Sequence, residues 1–403
     1  MRGILTAAGI DSTILARADD RPNLVARVAG RGEAPPLLLY GHVDVVTTAG
    51  QRWTHEPFAG DLADGMVWGR GALDMKGGVA MLIHALVRAH EEGPPPGDLV
   101  LAVLSDEENG GAFGAAFLCE EHRERFAGVR HALGEFGGAT THVSGRAFYP
   151  IQVSEKQICW LRGVVRGPGG HAAIGVRGSA MAKLGPILEA LDTRSLPVHV
   201  TEPARAWIEA MADALPDEQA AVMRSLLDPG TAEETLRDAP DELRPIERAL
   251  RNTVTPTIVR GGEKINVVPS EIELELDGRA LPGFTPDDVI RELGELVGPE
   301  LELELVRHDP GPSEVDLSFV PTLSEILREL DPDAVPVPMM QIGVTDGRFF
   351  SRIGIQTYGY LPLKLPPGFE FSKLVHAADE RVPADAVRFG AEAVSRAIDR
   401  YRG

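Results

Sequence analysis

Cysteine is nearly absent: the 403 residues contain two, Cys119 and Cys159. That is too few for a disulfide framework or a cysteine-rich zinc motif. Both sit in apolar contexts and read as small buried hydrophobes. Long apolar runs are also missing, and none approaches the roughly 20 residues that cross a bilayer. Positive charge is in deficit, with 40 Lys and Arg against 60 Asp and Glu and a formal net charge of −20. Such a chain repels nucleic acid and offers no polybasic patch to an anionic membrane. The acidity by itself names no partner, and solubility is its ordinary meaning. The opening "MRGILTAAGIDS" lacks the apolar core and processing site of a secretory signal, so the cytoplasm is the expected compartment. Internal repeats and low-complexity linkers are absent as well.

What is present is ordinary globular composition, 43% hydrophobic and 25% charged, in a chain long enough for two domains. "NLVARVAG", "PPLLLYGHVDVV", "DLVLAVLSDEENGG" and "VRHALGEFGG" contain apolar runs of strand length. "DMKGGVAMLIHALVRAHEEG" and "GAAFLCEEHRERF" carry apolar residues at helical spacing. The alternation predicts an α/β fold with a mostly parallel sheet, whose ligands lie beyond the carboxyl ends of the strands. From about residue 155 the pattern changes. "QICWLRGVVRG", "TVTPTIVRGG", "KINVVPSEIELELDGRAL" and "LELELVRH" alternate like half-exposed antiparallel strands. A polar, acidic stretch runs from about 200 to 250. The expected organisation is a mostly parallel-sheet sandwich domain over 1–154 and 314–403. A smaller α+β domain, 155–313, is inserted into it.

Five segments carry chemistry. In "LLLYGHVDVV", His42 and Asp44 are two apart on a strand and share a face. That arrangement suits a metal-binding imidazole with a carboxylate behind it; a strand end with two polar residues is the plainer reading. Asp74 in "GRGALDMKGG" opens a helix after a glycine-rich loop, where it is either a cap or an inward-reaching ligand. "LSDEENGG" sets Asp106, Glu107 and Glu108 at the mouth of a buried strand. Such carboxylates repel one another unless a cation is near. Adjacent glutamates point different ways, so one can ligate while the other moves protons. Glu135 in "ALGEFGG" follows the same logic, and His376 in "KLVHAADERVP" joins them if the fold returns it to the site. Two imidazoles and three carboxylates without thiolate suit zinc, with cobalt and manganese also compatible. Asp74 as a bridge, with one histidine and one acid on each side, describes a site for two divalent metal ions.

The segments "GHVDVV", "GRGALDMKGG", "SDEENGG", "GGH", "NVVPSE", "DGRALPG", "TDGRFF" and "HAADERVP" resemble, in order and spacing, one metallopeptidase family. It includes acetylornithine deacetylase, succinyl-diaminopimelate desuccinylase, aminoacylase and carboxypeptidase S. The resemblance runs from about residue 20 to the end and is strongest on the carboxypeptidase S and aminoacylase side. It implies a dinuclear hydrolase that cleaves the amide bond of an N-acyl amino acid or small peptide beside a free carboxylate. His42 and Glu135 would hold one metal, His376 and Glu108 the other, with Asp74 between. Asp44 would support His42, and Glu107 would be the general base.

In the inserted domain, a lid and dimerisation element, the resemblance makes His171 polarise the scissile carbonyl, from a homodimer partner in some arrangements. Asn266 would assist the oxyanion and Arg279 would hold the substrate carboxylate. Thr345, Asp346 and Gly347 would line the pocket. Each has a plainer alternative: a loop histidine, a turn asparagine, and an arginine paired with Asp277 or Glu275. Trp53 and Trp68 read as packing residues. Alanines follow His171 where the family often has serine, the family's opening helix is expected to be short or missing, and the acidic 200–250 stretch is expected to enlarge the lid. Two other functions stay open: a non-catalytic binding or regulatory relative, and a two-metal phosphoesterase. The absence of a basic cluster beside these acids disfavours the phosphoesterase.

Overall fold

The strand Leu37–His42 is buried along its whole length. Its apolar residues alternate between two cores, as a strand covered on both faces requires. Leu37 and Leu39 join a core that includes the helices Lys76–Glu92 and Ala384–Arg400. Leu38 and Tyr40 join another, against the helices Ala115–Glu121 and Gly347–Arg352. The neighbouring strand Leu99–Leu104 repeats the division, with Leu99, Leu101 and Val103 on one side and Val100, Ala102 and Leu104 on the other. The helix Lys76–Glu92 buries Val79, Leu82, Ile83, Leu86 and Ala89, a stripe of helical period. It stops at Gly93, ahead of three prolines.

The computed structural model describes residues 1–237, 243–312 and 314–403. A large mixed sheet runs in the order Ser12–Ala16, Pro22–Val28, Leu99–Leu104, Leu37–His42, His131–Gly134, Gln356–Gly359, Arg146–Glu155, Ala334–Gln341, with Thr141–Val143 beside Arg146–Glu155. The four central strands from Leu99–Leu104 to Gln356–Gly359 are parallel. Antiparallel pairs flank them on both sides, and Ala334–Gln341 joins Arg146–Glu155 in parallel. The fold is α/β as expected, with the parallel pairing concentrated where helices cover both faces.

A separate four-stranded antiparallel sheet has the order Thr253–Arg260, Glu271–Ala280, Gln157–Arg166, Leu301–Asp309. Ile272, Leu274 and Leu276 face the helices Ala180–Thr193 and Pro286–Val297. The second helix begins with a reciprocal Thr285–Asp288 capping box. The acidic stretch behaves otherwise than expected. Its helices Glu202–Ala214, Asp217–Ser225, Pro229–Arg237 and Arg244–Ala249 do not enlarge this smaller layer. Their apolar stripe, with Trp207, Ile208, Met223 and Ile246, packs on Phe148, Val335 and Val337 of the large sheet. Residues 238–242 of that stretch, and Ser313 at the expected end of the insertion, lie outside the described residues. The opening helix is short, Arg2–Ala7. Both cysteines are buried and free. Among the described residues no helix is long and apolar enough to cross a membrane.

Candidate metal centre

His42 ends its strand at the carboxyl edge of the parallel sheet, with a side chain only 1% exposed. Its Nε2 lies 3.1 Å from Asp74 Oδ1 and 3.4 Å from Glu135 Oε2. The other Asp74 oxygen, Oδ2, is 3.2 Å from His376 Nε2, which is also 3.2 Å from Glu108 Oε1. His42, Asp74 and Glu135 thus form one donor set, and Asp74, Glu108 and His376 a second. The chain does return His376 to Asp74. This second set is the more open one, since the His376 side chain is 48% exposed. The donors are oxygen and imidazole nitrogen alone, and one carboxylate spans both sets, so the residues fit a pair of divalent ions.

The supporting contacts differ in part from the sequence reading. His42 Nδ1 lies nearer the backbone carbonyl of Asp44, at 3.0 Å, than its carboxylate, at 3.5 Å. The Asp44 carboxylate also accepts the backbone N–H of Glu107 at 3.2 Å and of Glu108 at 3.1 Å. One aspartate therefore ties the His42 strand to the turn that carries both glutamates. Sequence reasoning missed Glu380 and Arg70. Glu380 is fully buried, and its Oε1 accepts the N–H of Leu73 at 2.8 Å and of Asp74 at 3.1 Å. Its Oε2 accepts from Arg70 Nη1 at 2.5 Å, while Arg70 Nη2 donates to Gln51 and to the His376 carbonyl. His376 has φ 64°, a left-handed conformation unusual outside glycine. Arg70 and Gln51 together hold its carbonyl. Both missed residues stand inside the segments "GRGALDMKGG" and "HAADERVP", but nothing local shows that they pair. Trp53 packs under the Arg70 guanidinium and Trp68 under that of Arg381.

The electrostatics follow from crowding. Burial opposes charge on His42, yet its hydrogen bonds with Asp44, Asp74 and Glu135 raise its pKa overall. Burial likewise opposes charge on Asp74, but His42 and His376 hold its pKa below the usual value. For Glu107 the opposing fields of His42 and Arg348 are outweighed. Burial, with the charges of Glu135 and Asp346, pushes it up to about 10. Bound cations would act against that shift.

Thr345, Asp346 and Gly347, expected along the pocket wall, are instead buried beneath the acids. Thr345 donates twice to Glu155, and the Asp346 N–H donates to Glu135 at 3.1 Å. His171, Asn266 and Arg279 lie in the smaller layer, apart from both donor sets. His171 and Asn266 are exposed neighbours, linked by Ala172 N–H to the Asn266 carbonyl. Arg279 forks onto Asp277 at 2.7 and 3.1 Å, the plainer of its two readings. A cavity of about 460 Å³ opens beside Asp74 and Glu135 and runs to the acidic helices.

The division of one aspartate between two donor sets places the protein among hydrolases that work with paired metal ions. Residues 38–400 match Peptidase family M20/M25/M40, and the chain belongs to that family of metal-dependent enzymes. The "Probable carboxypeptidase S-like 2" of Dictyostelium discoideum is 27% identical over 367 residues, 86% of this chain and 68% of that protein. The "N-fatty-acyl-amino acid synthase/hydrolase PM20D1" of Homo sapiens is 26% identical over 363 residues, 87% of this chain and 71% of that one. Among solved structures, an M20 family metallo-carboxypeptidase from Sulfolobus solfataricus has the same fold, with TM-score 0.67 at 16% identity. That likeness covers 100% of this chain and 92% of the other.

Proposed function

We propose that the protein hydrolyses the amide bond of an N-acyl amino acid or small peptide beside a free carboxylate, using two divalent ions. The observation that carries this reading is Asp74, with one oxygen 3.1 Å from His42 and the other 3.2 Å from His376. His42 and Glu135 would hold one ion, His376 and Glu108 the other. Zinc fits this donor set, as do cobalt and manganese. Bound ions supply Lewis-acid polarisation and lower the pKa of a water. Glu107 takes the proton of the attacking water and returns it to the leaving amine, since a general base can serve again as acid.

The smaller four-stranded layer within 155–313 acts as a lid over the domain formed by 1–154 and 314–403, and its closure excludes water. Closure brings His171 and Asn266 to the oxyanion and lets Arg279 exchange Asp277 for the substrate carboxylate. A homodimer through the same layer would present His171 to the neighbouring copy's site. Thr345, Asp346 and Gly347 support the acids from beneath. Glu107→Gln is the test. Turnover of N-acyl amino acids or dipeptides should fall about 100- to 10,000-fold, with two ions still bound per chain. Near-normal turnover in that variant removes Glu107 from its role.

A further inference from the structure

We propose that Arg348 is a positioning residue that couples the strand end leaving the smaller layer to the turn carrying Glu107. The kinetic consequence rests on the amide-hydrolase reading above; the coupling rests on geometry alone. The chain passes between the two layers twice. Strand Arg146–Glu155 of the large sheet is followed after one residue by Gln157–Arg166 of the smaller one, and the chain leaves the smaller sheet at the end of Leu301–Asp309. The segment Thr345–Arg348 touches both passages. Thr345 donates its backbone N–H and its hydroxyl to Glu155 Oε2, each at 2.8 Å. Arg348 Nε lies 3.8 Å from Asp309 Oδ2. The same arginine reaches the catalytic side. Its Nη2 donates to the Gly110 carbonyl at 2.9 Å, across 238 positions of sequence. Gly110 follows the turn Glu107–Asn109, and its own N–H donates to the Glu107 carbonyl at 2.8 Å. Arg348 Nη1 donates to the Thr345 carbonyl at 2.5 Å. The side chain is 3% exposed and lies over the Phe349 ring. A planar fork fixed to two carbonyls moves only by carrying them with it.

Asp309 is where a movement of the smaller layer is felt. Its carboxylate accepts from Arg307 Nη2 at 2.6 Å and lies 3.7 Å from Arg352 Nη2. Arg352 in turn donates to the Pro310 carbonyl at 3.1 Å. Arg307 belongs to the smaller sheet, whereas Arg348 and Arg352 belong to the helix Gly347–Arg352 packed on the large one. One carboxylate is thus shared between the layers. At 3.8 Å the contact from Asp309 to Arg348 is longer than a hydrogen bond. Arg348 Nε has no hydrogen-bond partner among the described residues. A buried N–H left unpaired is unfavourable. A shift of about 1 Å at Asp309 supplies the missing bond, so two positions of the smaller layer hold the guanidinium, and with it Gly110, differently. Movement of that layer and the setting of the Glu107 turn are thereby linked.

The test is a double-variant cycle on metal-reconstituted full-length protein. Asp309→Asn keeps the shape of the side chain and removes its charge. With the best substrate from a panel of N-acyl amino acids and dipeptides, kcat should fall about 10-fold. KM should stay within about twofold, with two ions still bound per chain. Arg348→Met should lower kcat at least as much, and Arg348→Lys, which keeps the charge but not the fork, should recover part of the loss. Adding Asp309→Asn to Arg348→Met should lower kcat little further, because the aspartate acts through the arginine. Effects that multiply overturn the coupling, as does an unchanged kcat in Asp309→Asn. Hydrogen exchange reads the coupling without substrate and without altering the buried arginine. In Asp309→Asn the amides of Gly110 and Gly111 should exchange about 10-fold faster or more, while those of the strand Leu37–His42 keep their rates. Equal protection of residues 104–113 in parent and variant overturns the proposal. Hydrolysis of nothing in the panel by the parent protein overturns the amide-hydrolase reading, and the exchange rates then decide the coupling by themselves.

Discussion

Glu380→Leu should weaken the fold and the metal centre through different atoms. The Glu380 and Arg70 side chains are 0% and 1% exposed. The remaining acceptors of Arg70 Nη2, Gln51 Oε1 and the His376 carbonyl, are neutral. Removing the carboxylate leaves a buried guanidinium without its counter-ion, a loss of about 3–5 kcal/mol. The N–H groups of Leu73 and Asp74 also lose their acceptor, at about 1–3 kcal/mol each if nothing replaces it. These figures overlap and do not add. The double variant Arg70→Leu/Glu380→Leu removes the stranded charge and should recover the ionic part of the loss. It does not restore the hydrogen bonds that fix the Asp74 loop. Metal affinity should therefore fall about 10- to 100-fold in both variants. Urea unfolding of metal-free protein reads the stability, and competition with a chromogenic chelator reads the affinity. A single variant as stable as the parent refutes the buried-charge argument. A double variant with parental metal affinity refutes the positioning of Asp74 by Glu380.

His376→Ala removes a donor from the more exposed set only, so dialysed protein should retain one ion per chain by elemental analysis; two ions or none contradict the assignment. The raised pKa of His42 keeps its ring charged at neutral pH in metal-free protein, while ligation requires the neutral ring. Loading should therefore release protons, and affinity should tighten as pH rises. Calorimetry in two buffers of different ionisation enthalpy checks this, and the absence of proton release refutes it. A Cβ at Gly137 would lie 1.7 Å from the Gly359 carbonyl oxygen. Gly137→Ala should then cost about 1–3 kcal/mol, read by thermal unfolding, and an unchanged midpoint would show that the strand gives way freely.

Among the candidate ligands, His42, Glu108 and Glu135 are legible because each stands at or just past the end of a buried apolar strand, whereas Asp74 reads equally as a cap and His376 depends on the fold. A buried apolar strand that ends in His42, or runs into Glu107 and Glu108, spends no charge on solubility. The two-faced strands are legible through their length and unbroken apolar character. The role of the 200–250 stretch is hidden by its acidic surface. Its apolar stripe is ordinary for any helix, and its partner strand Ala334–Gln341 lies far along the chain. The Arg70–Glu380 pair spans 310 positions, so neither residue has a local signal beyond its motif. Arg279 is legible only as two alternatives, because an arginine two residues from an aspartate on one strand face can serve either. The resemblance alone puts Thr345 and Asp346 on a pocket wall; their place under the acids depends on Glu155 and Glu135, residues no local pattern connects to them.

The shared aspartate also ties both donor sets to the last part of the chain to be made. The donors of the inner set, His42, Asp74 and Glu135, all lie within the first 135 of 403 residues, whereas the outer set lacks a member until His376 has been synthesised. Domains fold as units, and the inner set also waits for late residues, because Glu380 holds the Asp74 loop and the Asp346 N–H holds Glu135. A product released before residue 346 would lack one whole donor, His376, and the supports of the other set as well, so neither candidate seat would be complete.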